Sequence, residues 1–268
     1  MFARLLALIF AVVLASNAWA QQIVNLSARS GVIQPYFLAR VPANPQAIAM
    51  LFPGSGGFIR LRQEDGRIRF SPNNFLVRTR AEFVKRSVVA AIIDASSDQQ
   101  EGWGMSDEFR LGNDHAKDIS VAVSDLQRRF DGIPLFLIGT SRGTISAASL
   151  GARFGSQLAG VVLTATMFRG TGRRSKEPGP GLSGFDFATI KIPTLFVHHV
   201  SDQCAATPYG DAARLADKYP LVSVFGGSAP QSGPCEAMSE HGFLGKESET
   251  VEQIVNWMLK KSFRERVE

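Results

Sequence analysis

The sequence predicts an α/β fold built on a mostly parallel eight-stranded sheet, with helices on both faces and an antiparallel N-terminal hairpin. Three observations carry that prediction. From about residue 47 onward, short apolar runs alternate with helix-period segments, the pattern of strands joined by crossover helices. Some runs, such as residues 133–138, are apolar throughout, as strands buried on both faces are. Finally, the chain has 268 residues, 45% hydrophobic and 20% charged, with 2 cysteines. That composition suits one large core and excludes a disordered chain or a disulfide-dense mini-scaffold.

Residues 1–20 stand apart from the fold. Arg4 precedes an apolar run over residues 5–15, and Ala18-Trp19-Ala20 offers small residues where a signal peptidase reads. A membrane span needs about 20 apolar residues, so the run reads as a secretory signal. The mature chain is then residues 21–268, a single domain, secreted or periplasmic, with no stable membrane span.

The elements follow in order. Residues 23–29 and 32–41 flank Ser30-Gly31, the signature of a hairpin. Ala47–Phe52 is an apolar strand that runs into Pro53-Gly54-Ser55-Gly56-Gly57. Residues 74–86 read as a helix leading into the strand Val88–Ile93, which stops at Asp94. Asn113 or Asp114 caps a helix to about Phe130, with Ile119, Ala122, Val123, Leu126 and Phe130 at helical spacing. The strand at 133–138 is followed by a helix to about Phe154. Residues 161–166, 193–199 and 221–225 are three further strands, the last two separated by a helix near 208–218. Residues 248–260 close the chain as an amphipathic helix. The stretch 170–184, rich in Gly and Pro and carrying Arg173, Arg174 and Lys176, reads as a surface loop.

Several function classes drop out. The net charge of +5 comes with no nucleic-acid-binding motif, so it reads as solvated surface charge and implies no nucleic-acid partner. No Cys/His spacing fits a structural metal site, and no motif requires a cofactor. In an oxidising compartment Cys204 and Cys235 are expected to pair.

The motif that carries chemistry is Gly139-Thr140-Ser141-Arg142-Gly143. The Gly-x-Ser-x-Gly string gains meaning from its place between a buried strand and a helix, the setting of a nucleophile elbow. There the serine occupies a strained turn, and the flanking glycines let strand and helix approach closely. The Arg142 N–H lies at the helix N-terminus, where positive partial charge favours an oxyanion.

On this motif, the strand count and the chain order of its polar residues, the sequence resembles the α/β-hydrolase superfamily over essentially the whole mature chain, in the manner of dienelactone hydrolases and esterases. The resemblance implies partners in the order Ser, Asp or Glu, His. It places the acid at Asp202, just after the 193–199 strand, and the base at His241, before the final helix. Asp211 and Glu236 compete with Asp202 but do not directly follow a strand, and Asp94 follows a different one. His198 and His199 precede Asp202 and read as strand-end residues; His115 reads as surface or supporting. A Cys204–Cys235 bridge would tie the acid loop to the base loop. The resemblance also puts a second oxyanion donor after the third strand, with the Ser55 N–H as first choice and Gly56 as second. Many relatives carry His-Gly at this point, where this chain has Pro53-Gly54. Trp103, Met105 and Phe109 are candidates to line the pocket, and Arg60, Arg62, Arg67, Arg69, Arg173 and Arg174 could favour anionic substrates, although solvated charge is the preferred reading.

The expectation is a secreted serine hydrolase that cleaves an ester or related acyl bond of a small molecule through a Ser-His-Asp triad and an acyl-enzyme. The alternative is a non-catalytic envelope binding protein on the same fold.

Overall fold

The computed structural model describes residues 20–172 and 178–268. The secretory segment predicted at 1–20 lies outside the described residues apart from Ala20, as do Arg173, Arg174 and Lys176.

The chain begins with strands β1 (Gln22–Arg29) and β2 (Val32–Leu38), the expected antiparallel hairpin, followed by β3 (Ala47–Phe52). A short ribbon, β4 (Arg62–Glu64) and β5 (Arg67–Arg69), stands apart from the main sheet. Its turn is Asp65-Gly66, both at positive φ as a tight hairpin turn requires. The predicted helix 74–86 is two short helices, α1 (Phe75–Arg78) and α2 (Arg80–Lys85), which break at Thr79. Next come β6 (Val88–Ile93), α3 (Asp107–Leu111), α4 (Asn113–Arg129), β7 (Leu135–Thr140) and α5 (Gly143–Phe154). The chain closes with β8 (Gly160–Thr164), β9 (Thr194–His199), α6 (Tyr209–Ala213), β10 (Leu221–Val224), α7 (Glu247–Met258) and β11 (Arg266–Val267).

All eight predicted strands lie in one sheet, and β11 adds a ninth to give the order β1-β2-β6-β3-β7-β8-β9-β10-β11. This two-residue strand, parallel to β10, is too short to leave a periodic signal. The helix expected over 208–218 is confined to α6 and continues as turns.

Side chains alternate across the pleat, so the sheet separates two cores. From β3, Ile48, Met50 and Phe52 face the core built with Ile119 and Val123 of α4 and Ile145 of α5. Ala47, Ala49 and Leu51 face the other, with Phe75, Phe83, Val251 and Ile254 of α1, α2 and α7. Helices therefore cover both faces, which is why the central strands carry no polar alternation.

The order of strands fixes where a site can form. From β3 the chain goes to β6 on one side, then crosses to β7 on the other, so the β3 and β7 loops diverge at a topological switch point. Phe52 of β3 is paired with Gly139 of β7. Four residues on opposite sides of that pairing, Pro53-Gly54 and Thr140-Ser141, thus leave the sheet side by side.

Candidate active site

The β7–α5 turn is an elbow of the expected kind. Ser141 has φ of +53°, a left-handed conformation that costs a non-glycine residue about 1–2 kcal/mol. The glycines on either side are sterically required: a Cβ on Gly139 would lie 2.5 Å from the Gly143 carbonyl oxygen, and one on Gly143 would lie 2.1 Å from the Phe52 carbonyl oxygen. Close packing of strand against helix, and of helix against β3, thus forces the serine outward.

Ser141 and His241 line one cleft of about 360 Å3 together with Gly54, Ser55, Phe58, Phe75 and Glu236. His241 stands in a one-turn 3-10 segment, Glu240–Gly242, capped by the Ser239 hydroxyl. Its Nδ1 is 3.0 Å from Asp202 Oδ2, and both side chains are buried, at 5% and 0% exposure. Its Nε2 is buried and has no hydrogen-bond partner among the described residues. Serine–imidazole contacts of this kind are commonly long without substrate and tighten when it binds.

Asp202 follows β9 as expected, and its N–H donates to the His199 carbonyl. Oδ1 accepts the Cys204 N–H at 2.9 Å, and Oδ2 accepts the Thr207 hydroxyl at 2.8 Å. Thr207 Oγ1 is also 3.1 Å from His241 Nδ1. The carboxylate is therefore held from both oxygens while it faces the imidazole. Cys204 and Cys235 are disulfide-bonded, joining the segment after Asp202 to the segment before His241.

The competing carboxylates are engaged elsewhere. Asp94 is fully buried and accepts the N–H groups of Ile59, Leu61 and Ala95, with burial pushing its carboxyl above the usual range. Asp211 pairs with Arg169 and Arg214, which hold its carboxyl low against some desolvation. Glu236 lines the cleft but is exposed, and it accepts the Gly233 N–H.

The other histidines are structural in placement. His198 accepts the Thr166 N–H at Nε2 and stacks on Phe168, and burial pushes it down to about 3. His199 bridges the Ser201 N–H and the Gly226 carbonyl. His115, read as surface or supporting, is fully buried between α4 and α5, with Nε2 at 3.0 Å from Ser146 Oγ. Burial, with the Arg110 charge beside it, pushes His115 down to about 3.

In the β3 loop, Gly54 and Ser55 line the cleft and Gly56 does not. A Cβ on Gly54 would be 3.1 Å from Ser141 Cβ, so the loop backbone lies against the elbow. Ser55 has φ of +47°, and its N–H finds no acceptor among the described residues. Arg142 begins the helix beside Ser141, and its guanidinium turns away from the cleft to Asp107 at 2.6 Å.

The pocket candidates fare less well. Trp103 and Met105 line a separate hollow next to Arg142, and Phe109 packs on His115. Arg62, Arg67 and Arg69 lie on the outer ribbon and Arg60 sits over the Phe58 ring, so among the described residues no Lys or Arg lines the cleft. Three participants escaped the sequence reading, Thr207, Asp107 and Arg110. A threonine five positions after an aspartate, or an aspartate or arginine in a short helix, carries no signal of its own.

Known proteins agree with this architecture. Superposition pairs 89% of the chain with 98% of Est1E from Butyrivibrio proteoclasticus, at 14% identity and a TM-score of 0.59. A highly thermostable carboxyl esterase from Bacillus coagulans superposes over 89% of this chain and 98% of its own, at 13% identity and a TM-score of 0.55. An a/b serine hydrolase without lid from Xanthomonas campestris superposes over 88% and 95%, at 13% identity and a TM-score of 0.56.

The chain has the α/β-hydrolase fold.

Residues 96–183 also match the family model described as Serine aminopeptidase, S33, about a third of this chain and the part that contains Ser141. No curated protein matches the chain. Among the described residues, no helix is long and apolar enough to cross a membrane.

Proposed function

We propose that this protein is a serine hydrolase that cleaves an ester or related acyl bond of a small molecule. The observation that carries the reading is the line from Asp202 to His241: an imidazole held by a buried carboxylate at Nδ1, with its Nε2 unpartnered among the described residues, on the wall of the cleft that Ser141 also lines.

In this reading His241 Nε2 takes the Ser141 hydroxyl proton as Oγ attacks the carbonyl carbon. The N–H groups of Ser55 and Arg142 receive the developing oxyanion. The tetrahedral species collapses as His241 protonates the leaving alcohol or amine, leaving an acyl-serine. Water, deprotonated by the same imidazole, then releases the acid and restores Ser141. Asp202 holds the imidazole with its proton on Nδ1 and stabilises the imidazolium.

The cleft favours a short substrate. Its volume, about 360 Å3, lies toward the small end for ligand pockets. Phe58, Ile59, Pro72 and Phe75 supply apolar wall, and Asn73, Asn74 and Ser71 supply polar groups. Among the described residues no Lys or Arg side chain lines the cleft, which favours neutral acyl groups. Export through the 1–20 segment belongs to the same proposal, supported by the disulfide, which suits an oxidising compartment.

The test is labelling of the oxidised protein by a fluorophosphonate, together with turnover of acetyl, butyryl and longer p-nitrophenyl esters and of an aminoacyl p-nitroanilide. Labelling at Ser141 and turnover of short esters are expected, both abolished in Ser141→Ala. An unlabelled wild-type protein that turns over none of these substrates rejects the proposal.

A further inference from the structure

Helix α3 is only five residues long, yet it supplies two almost completely buried charged side chains, Asp107 at 0% and Arg110 at 1% exposure. Each bonds to one of the two residues whose N–H groups are proposed above as oxyanion donors. Asp107 Oδ1 accepts Arg142 Nη1 at 2.6 Å, holding the side chain of the residue that follows Ser141, while Oδ2 accepts the Gly181 N–H at 2.8 Å. Arg110 Nη2 donates to the Ser55 carbonyl at 2.8 Å, and its Nη1 donates to Ser146 Oγ on α5 at 2.9 Å. The Ser146 hydroxyl is in turn 3.0 Å from His115 Nε2.

We infer that Asp107 and Arg110 are positioning residues that set the separation and orientation of the two oxyanion donors, the N–H groups of Ser55 and Arg142. The inference rests on the hydrolase reading above and names what makes its oxyanion site rigid. Ser55 is held at φ of +47°, a conformation that costs a non-glycine residue free energy and persists only when its surroundings impose it. The Gly54 carbonyl is turned into the loop by the Gly57 N–H at 3.0 Å, and the Ser55 carbonyl is fixed by Arg110. With both flanking carbonyls anchored, the Ser55 N–H, antiparallel to the Gly54 carbonyl across a trans peptide, has one direction left to it, out of the turn.

On the other side, Asp107 fixes the Arg142 side chain, and through Arg110 the same helix is tied to α5 one turn beyond the elbow. The two donors come from segments 87 residues apart in sequence numbering (55 and 142), and α3 is bonded to both. Stabilisation of a developing oxyanion depends on donor placement at sub-ångström tolerance. Buried ion pairs contribute little net stability relative to apolar packing, so the nearly buried Asp107–Arg142 pair is better explained by placement than by stability.

The experiment compares Asp107→Asn, Arg110→Lys and Arg110→Met with the exposed neighbour Glu108→Gln, in the oxidised full chain. Turnover of a short p-nitrophenyl ester is measured alongside inhibition by an alkylboronic acid, whose tetrahedral Ser141 adduct places an oxygen in the donor site. Expected is a fall in kcat on the order of 10–100-fold for Asp107→Asn and Arg110→Met. KM should stay within about threefold and boronate affinity should fall in proportion to kcat/KM. Arg110→Lys should recover part of the loss, because one donor is retained, and Glu108→Gln should match wild type. Thermal unfolding monitors folding, and if one position does not tolerate replacement the other decides. An active wild type whose folded variants keep kcat and boronate affinity overturns this inference alone. A wild type that neither turns over esters nor binds the boronate overturns the hydrolase reading and this inference together.

Discussion

Thr207 donates its hydroxyl to Asp202 Oδ2 at 2.8 Å, the same oxygen that faces His241 Nδ1 at 3.0 Å. Both belong to the turn after β9, in which the Thr207 N–H donates to the Cys204 carbonyl. The acid is thus oriented by its own loop before the imidazole meets it. Thr207→Val keeps the shape and deletes the hydroxyl. It is expected to cost about 1.5–3 kcal/mol of stability, the scale for a hydrogen bond to a charged group, and to lower kcat roughly three- to tenfold, about the worth of one ordinary hydrogen bond. Steady-state kinetics beside a denaturation curve separates the two effects, and an unchanged kcat would show that Asp202 needs no such support.

Ser141 occupies a left-handed backbone conformation at φ of +53°. Replacing it by glycine removes the steric penalty together with the hydroxyl. Ser141→Gly should therefore lose ester turnover and fluorophosphonate labelling while gaining up to about 1 kcal/mol of stability. In a domain of this size that is a rise of roughly 2–4 °C in Tm. A fall in Tm instead would mean that the hydroxyl, not the backbone, governs the energetics of the turn.

The Cys204–Cys235 bridge closes a loop with a sequence separation of 31 residues. On the chain-entropy model its loss costs roughly 3–4 kcal/mol. The bridge also links the Asp202 and His241 segments, so activity should respond first. Under a mild reductant at a temperature where circular dichroism still reports a folded chain, kcat should drop. Simultaneous loss of activity and fold would assign the bridge to stability only.

His115 and His198 are buried as neutral rings, each pushed down to about 3 by desolvation. In the unfolded chain both take up protons near pH 6.5. The unfolded state thus binds more protons between about 6.5 and 3, and stability falls as pH is lowered through that window and levels off above it. Each ring contributes at most about 1.4 kcal/mol per pH unit. Denaturant titrations from pH 7.5 to 4 should show this decline, and His198→Asn should flatten it. An unchanged slope in that variant would count against a neutral buried His198.

Much of the architecture was legible because it rests on local periodicity. Apolar runs at β3, β6, β7, β8 and β9 mark strands buried on both faces, and the spacing of Ile119, Val123 and Leu126 marks α4. The elbow around Ser141 is equally local, since two glycines and a serine between strand and helix define it. Less visible were the β4–β5 ribbon, whose one clue is Asp65-Gly66, and β11, whose two residues show no pattern. The division of 74–86 at Thr79 was hidden because apolar spacing continues across the break.

The sequence by itself determined the alternation of elements, the strained position of Ser141, the fold class, and the two cysteines available to bridge. The tertiary structure alone decided which residues stand around the cleft. Phe52 pairs with Gly139 because the chain crosses β3 on its way from β6 to β7, and that pairing sets Gly54 against Ser141. It also decided that Thr207 supports Asp202, that Arg110 reaches Ser55, and that the arginines of the ribbon stay outside. The physical reason is that local pattern encodes how a segment buries its own apolar face. Contacts between polar side chains far apart in sequence depend on strand order and register, which belong to the packed sheet as a whole.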